Sequence, residues 1–244
     1  LKVYLNAGAI MKISYNSDIK SLDIEASDFF AYHTKKILNK KDLVLWAMPG
    51  GRSVSGIFRS LANRDDIPWE KIHLFIIDER LVPLDDVDSN YRLLYENLAG
   101  SLLKKGKISN DNIHPFIFKP GENDLGSGGY EKELKIFGSY FDIILLSSGK
   151  DCHIAGIYPG HHSVKNKYKY FFTMNDSPKP PRGRMSSSRT LLLKSQSAVL
   201  LFYGKLKKNA FTDFMDSNID ETECPAKIVK KINNSLILTD QKKW

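Results

Sequence analysis

Residues 141–162 read FDIILLSSGKDCHIAGIYPGHH. Four consecutive aliphatic residues, Ile143 to Leu146, give way to Ser147-Ser148-Gly149 and then to Asp151 and His153, two positions apart. An apolar run of this length bounded by turn residues predicts a buried parallel strand. Open α/β sheets place their ligand crevices just beyond the carboxyl ends of such strands. A histidine there can exchange protons near neutral pH, because an unperturbed imidazole titrates near ~6.5. The aspartate beside it is placed to orient the ring and hold one tautomer. We therefore read His153 as a catalytic base and Asp151 as its partner. The remaining histidines, His33, His73, His114, His161 and His162, read as packing or loop residues. A metal held by His153 and His162 would need further Cys, Asp or Glu ligands at suitable spacing, and the sequence offers no such cluster, so none is expected.

Strand and helix patterns alternate outward from this stretch. Helical spacing is expected over residues 24–38, 89–103, 130–137 and 206–215, and within 49–63, where Ile57, Phe58 and Leu61 fall on one face, with a Cys-Pro start near Pro225 for a last helix. Apolar strands are expected over 42–48, 72–77, 113–118, 141–146, 197–204 and 235–239. Strands separated by helices indicate one α/β domain, residues 1–244, with a mostly parallel sheet covered by helices on both faces. Residues 121–129 and 175–188 read as Gly-, Pro- and Ser-rich loops. The second is long enough for a functional lid.

Composition narrows the function classes. With 42% hydrophobic and 26% charged residues among 244, the chain has an ordinary globular make-up. No run approaches the roughly eighteen apolar residues that span a membrane. The opening residues LKVYLNAGAIMKISY lack the regions of a secretion signal. They also lack an initiator Met, so the chain is expected to be a piece excised from a longer polypeptide. Two cysteines, Cys152 and Cys224, make neither a disulfide framework nor a zinc spacing, which suits a reducing cytoplasm. The net charge of +8 is scattered rather than gathered into a basic stripe with aromatics. It fits an anionic small molecule better than nucleic acid.

Three expected strands end in loops that carry chemistry. The first gives Gly50, Gly51, Arg52 and Ser53 ahead of a helix, where backbone N–H groups can meet a phosphate. The second gives Asp78-Glu79-Arg80, charge placed directly after a buried strand. The third gives Asp151 and His153. Together they outline an anionic-ligand site with a base.

These segments resemble the 6-phosphogluconolactonase family. IDERLVPLDDVDSNYRLL, from Ile77, is similar to its DER-VP-SN signature, and GKDCHIAGIYPGH to its G-x-D-G-H-T-A-S-L-F-P-G-H segment. PGGRSVSGIF resembles its S-G-G-[ST]-T-P loop, SPKPPRGRM its K-P-P-x-x-R loop, GKLKKNAF its T-G-x-x-K-A motif, and CPAKIVKKINNSLILTDQ its closing helix and strand. The resemblance runs in order along nearly the whole chain. It implies an α/β fold related to glucosamine-6-phosphate deaminases, and cofactor-free hydrolysis of 6-phosphoglucono-1,5-lactone in the oxidative pentose phosphate pathway. Relatives occur free-standing or fused to glucose-6-phosphate dehydrogenase, which is the partner it implies. Phosphate-side residues carried over are Asp78, Arg80, Arg184 and Lys207, beside the glycine loop. Arg182 or Arg189 stays open in place of Arg184, and Lys205 or Lys208 in place of Lys207.

The chain departs from the family pattern where Cys152 replaces the Gly between Asp and His, at Ser147-Ser148, and at Arg52-Ser53. If position 152 needs a left-handed backbone, a Cys costs about 1–2 kcal/mol of strain. Three rival readings follow: a nucleophilic Cys152, a phosphosugar-binding domain without turnover, and a glucosamine-6-phosphate deaminase. The deaminase motif D-G-H-I-A-F-N-E-P requires a Glu before its Pro, and this chain has Tyr158 there.

Overall fold

A computed structural model describes residues 2–6 and 9–242. The chain runs β1 (Lys2–Asn6), β2 (Ala9–Tyr15), α1 (Ile19–Leu38), β3 (Val44–Met48), α2 (Ser55–Ala62), β4 (Ile72–Ile76) and β5 (Asp78–Arg80). It continues through α3 (Asn90–Leu94), a π-helical turn (Tyr95–Ala99), α4 (Gly100–Lys104), β6 (Ile113–His114), α5 (Ser127–Ile136), β7 (Ile143–Ser147), α6 (His162–Lys165) and β8 (Phe171–Met174). It closes with β9 (Arg184–Ser187), α7 (Arg189–Leu193), β10 (Ser197–Phe202), α8 (Lys208–Met215), a 3₁₀ segment (Pro225–Lys231) and β11 (Asn234–Thr239).

Eight strands make one sheet in the order β1-β2-β11-β10-β7-β3-β4-β6, parallel except for the β1–β2 pair. The continuous apolar runs are explained by burial on both faces. In β7, Ile144 and Leu146 join one core while Ile143 and Leu145 join the other. Asp142, wholly buried at the start of β7, ties three strand beginnings together. It accepts from Lys41 Nζ at 2.8 Å, from the Leu45 N–H at 2.9 Å and from Gln196 Nε2 at 2.8 Å.

Chain order fixes where a ligand crevice lies. From β3 the chain steps outward through β4 to β6, then returns to place β7 on the other side of β3 and continues through β10 to β11. The connections therefore diverge beyond the carboxyl ends of β3 and β7, leaving a crevice there. The loops that open at this point are those of Gly50-Gly51 and of Asp151-His153.

Several expectations shift. Helix α1 begins five residues earlier than its apolar spacing indicated, because Asp18 caps it by accepting from the Lys20 N–H at 3.1 Å. The strand expected over 113–118 pairs only through His114, and Pro115 has no N–H to extend it. Asp78-Glu79-Arg80 is not a loop but strand β5. It joins β9 and β8 in a second, antiparallel sheet, so the long loop expected over 175–188 ends in a strand.

Candidate active site

The loop after β7 is a closed turn. The Ser148 N–H extends the ladder to the Leu201 carbonyl at 3.0 Å. The Gly149 N–H then donates to the His153 carbonyl at 2.7 Å, and the Cys152 N–H to the Gly149 carbonyl at 3.2 Å. This folds Asp151 and His153 back over Gly149, so closely that a Cβ on Gly149 would lie 1.9 Å from His153 Nδ1.

His153 Nδ1 lies 2.6 Å from Asp151 Oδ1, as the sequence reading expected of the pair. Lys179 Nζ reaches the same carboxylate oxygen at 2.7 Å and lies 3.0 Å from Nδ1. An ammonium has no lone pair to offer. The carboxylate oxygen is therefore the shared acceptor, with Nδ1–H and Nζ–H both donating to it. That tautomer leaves Nε2 with a free lone pair, the state a general base requires. Burial lowers the affinity of His153 for a second proton; Asp151 raises it and Lys179 lowers it again, with a net shift below the usual imidazole range. Burial pushes the Asp151 carboxyl up, but His153 and Lys179 outweigh it and hold it below the usual carboxylate range. The ring of Tyr158, buried, packs 4.9 Å from that of His153.

The second sheet builds the neighbouring wall. Antiparallel pairing sets Arg80 of β5 directly opposite Arg184 of β9. Arg184 is buried, its Nε and Nη2 donating to the carbonyls of Pro181 (2.9 Å) and Pro180 (3.0 Å). Burial and the neighbouring Arg80 both weaken its hold on its proton. Arg80 donates from Nη1 to the Asp88 carbonyl, while its buried Nε has no hydrogen-bond partner among the described residues. Asp78, buried, feels Arg80, Arg184 and His153 together, yet burial dominates and raises its carboxyl affinity for a proton. It therefore sits between the two halves of the site.

Glu79 has a structural task. Its carboxylate accepts from the N–H groups of Asn90 (2.7 Å), Tyr91 (2.8 Å) and Arg80 (2.8 Å) and from Ser89 Oγ (3.2 Å), capping α3. Asn90 donates from Nδ2 to the Asp78 carbonyl at 2.6 Å, and a Cβ on Gly50 would lie 1.7 Å from its Oδ1. The acidic signature, the Ser-Asn pair and the glycine loop are thus one packed unit.

Two glycines bracket the crevice in like conformations. Gly51 (φ 96°, ψ 155°) leads into a 3₁₀ turn (Arg52–Val54) and α2, and Gly204 (φ 92°, ψ 148°) into a 3₁₀ turn (Lys205–Lys207) and α8. Ser53 joins its loop to the end of β7 through a 2.8 Å contact of its Oγ with Ser147 Oγ. Arg52 lies exposed. Among the alternatives left open by the sequence, Lys207 is partly buried and donates to the Ser148 carbonyl, whereas Lys205 and Lys208 are exposed. Arg182 is exposed, and Arg189 is engaged by Glu221 at 2.7 Å, which leaves Arg184 as the buried one of the three.

Cys152 does adopt a left-handed backbone, φ 66°. Its thiol is buried, donates to the Ala210 carbonyl at 3.0 Å and meets the thiol of Cys224. That contact, with burial, pushes its proton affinity well up, which removes the thiolate a nucleophile would need. The sequence reading missed Lys179, although the KPP loop was in view. A lysine in a Pro-rich loop carries no local sign of which carboxylate it will meet.

The family of glucosamine-6-phosphate isomerases/6-phosphogluconolactonase matches residues 17–238. The 6-phosphogluconolactonase of Borreliella burgdorferi is 32% identical over 233 residues, covering 96% of this chain and 97% of that protein. The GDH/6PGL endoplasmic bifunctional protein of Homo sapiens is 32% identical over 174 residues, 68% of this chain but 21% of that protein. The crystal structure of 6-phosphogluconolactonase from Thermotoga maritima superposes with a TM-score of 0.78 at 25% identity, covering 94% of this chain and 98% of that one. The chain therefore belongs to the glucosamine-6-phosphate isomerase/6-phosphogluconolactonase family, and within it to the 6-phosphogluconolactonases.

Proposed function

We propose that this protein hydrolyses 6-phosphoglucono-1,5-lactone to 6-phosphogluconate, with His153 as general base. The observation that carries the assignment of the base is the Asp151–His153–Lys179 cluster, which leaves Nε2 unprotonated in a crevice walled by two arginines. In this reading His153 Nε2 takes a proton from water as the water oxygen bonds to the lactone carbonyl carbon. The resulting oxyanion is met by backbone N–H groups of the glycine loops. Collapse breaks the bond to the ring oxygen, which receives the proton from Nε2, and the new carboxylic acid ionises to solvent. General acid–base help of this kind is worth about 10²–10⁴-fold. A lactone is already an activated ester and needs no more elaborate apparatus.

Phosphate is assigned to Arg80, Arg184 and Lys207, with Asp78 and the Gly50–Ser53 loop beside them. The orphaned Arg80 Nε supports this, since a buried donor without a partner is costly unless a ligand satisfies it. The departure at Cys152 is absorbed by the turn, which still closes through Gly149 and presents Asp151 and His153. Placement in a reducing cytoplasm accords with two unpaired buried thiols. Covalent union with a glucose-6-phosphate dehydrogenase is a separate proposal, motivated by the match to a fifth of the human bifunctional protein; the mass of the native polypeptide decides it.

The test generates the lactone in situ and follows acid release above spontaneous hydrolysis. Turnover should vanish into background in His153→Ala while 6-phosphogluconate still binds. Binding without acceleration by the wild-type protein would leave a phosphosugar-binding domain instead.

A further inference from the structure

At the end of the sheet opposite the crevice, the fold gathers charge that is scattered in the sequence. A cavity of about 260 Å³ opens there between the last turn of α1, the starts of β10 and β11, and the segment leading into β7. Lys36 and Lys40 stand on its α1 side, and Gln196, Asn234 and Tyr140 line much of the rest. Parallel strands of five or six residues separate it from the crevice by about 15–20 Å. The neighbouring lysines are engaged, Lys35 with Asp66 and Lys41 with the buried Asp142, both at 2.8 Å. Lys36 and Lys40 have no partner among the described residues, and none of the described residues lining the cavity is a carboxylate. The cavity therefore carries two uncompensated positive charges.

An independent feature points the same way. His33 lines the cavity although only 8% exposed, and its Nδ1 lies 2.9 Å from Oγ of the buried Ser197. The serine hydroxyl has one proton to place, and Nδ1 is its acceptor among the described residues. With that O–H donating to Nδ1, the proton of the neutral ring lies on Nε2. Nε2 has no partner among the described residues. Burial, with Lys36 and Lys12 nearby, pushes His33 down to about 4, so the ring is neutral at physiological pH. An N–H donor on so buried a side chain, flanked by two free ammonium groups, calls for an electron-rich acceptor.

We infer that this cavity binds a small phosphate monoester, its dianion held by Lys36, Lys40 and the Nε2–H of His33. Such an ester carries about −1.5 to −2 charge near neutral pH and three strong acceptor oxygens, which match two ammonium groups and one N–H. Lysine serves here as a compact point charge with rotatable donors. The amides beyond are held in place, Gln196 Nε2 donating to Asp142 at 2.8 Å and Asn234 Nδ2 to the Gln196 carbonyl at 3.2 Å. Their side-chain oxygens and the Tyr140 hydroxyl suit the hydroxyl groups of a polyol chain. A volume below the ~300–1,000 Å³ of drug-sized pockets limits that chain to a few carbons. The site shares no residue with the crevice, and it stands whether or not the proposed hydrolysis is correct.

The experiment titrates the protein, in phosphate-free buffer at fixed ionic strength, with glycerol phosphate and separately with glycerol. The histidine ring Cε1–H signals are followed by NMR, that of His33 being the one lost in His33→Gln. Glycerol phosphate should move it saturably and raise the pKa of His33 by about one unit or more, because a nearby anion favours the imidazolium. Glycerol should not move it. Lys36→Gln with Lys40→Gln alters two exposed side chains and should weaken binding by about tenfold or more. Arg80→Ala, which cuts the proposed phosphate wall of the crevice, should leave the His33 response intact. A His33 signal unmoved by glycerol phosphate, a response that survives loss of both lysines, or one that disappears with Arg80→Ala overturns the assignment.

Discussion

Gly149→Ala tests the architecture of the base directly. Gly149 is not in the left-handed backbone region, so alanine meets no backbone strain there, and the loss of chain freedom in the unfolded state favours folding by about 0.4–1 kcal/mol. The new Cβ, however, would stand 1.9 Å from His153 Nδ1, 2.1 Å from Cε1 and 2.4 Å from Asp151 Oδ1. Ordinary contact distances require the ring to withdraw by about 1.5 Å, taking Nε2 from its working position. Misplacement by about 1 Å costs about 10²-fold, and complete loss of a general base about 10²–10⁴-fold. We expect kcat for in situ generated lactone to fall by about 10²–10³-fold. Affinity for 6-phosphogluconate should stay within about threefold, because the arginine wall stands on a different sheet. Circular dichroism and thermal unfolding confirm that the variant is folded. A folded Gly149→Ala protein with kcat within threefold of wild type would refute the placement of the base.

The Lys179 contact predicts a pH signature. Lys179→Met removes a cation that holds down the proton affinity of His153, so the acid limb of the kcat/KM profile should move to higher pH, and Lys179→Arg should largely restore it. A profile unmoved by the Met substitution would show that Lys179 does not act on the base. Arg80→Ala and Arg184→Ala should each raise KM by tenfold or more with smaller changes in kcat, and an unchanged KM removes that arginine from the phosphate wall. Asp23 is buried with one carboxylate oxygen unpartnered among the described residues, and burial raises its pKa from 3.8 to about 6. The folded state therefore keeps this proton to higher pH than the unfolded chain, so stability declines as pH rises from about 4 to 6 and stays lower above. Asp23→Asn should stabilise the protein at pH 8 by up to about 3 kcal/mol and give no gain at pH 4, read by thermal unfolding at both pH values. Glu79→Gln presents an amide N–H to donors already pointing at it and should cost about 2–3 kcal/mol in denaturant unfolding at pH 8.

The parallel sheet and its order of helices were legible along the chain because their signals are local. A strand buried on both faces must be apolar throughout, as residues 143–146 and 197–202 are, and a helix between such strands shows its own spacing. The Asp151–His153 pair was legible for the same reason, being two residues apart on one turn. The second sheet was not. β5 has three residues and β9 four, too short to carry a periodic pattern, and their charged and hydroxyl residues read as loop. Their pairing joins positions about a hundred residues apart, and it alone sets Arg80 against Arg184. Lys179 on Asp151, Cys152 against Cys224 and Asp176 beside His161 and His162 are likewise contacts between distant segments. The sequence by itself determined most strands and helices of the parallel sheet, the crevice and the closeness of Asp151 to His153, since backbone burial and turn chemistry are written locally. Which cations face that base, and which side chains share the rim, only the tertiary structure decided, because long side chains on irregular segments are placed by packing rather than by period.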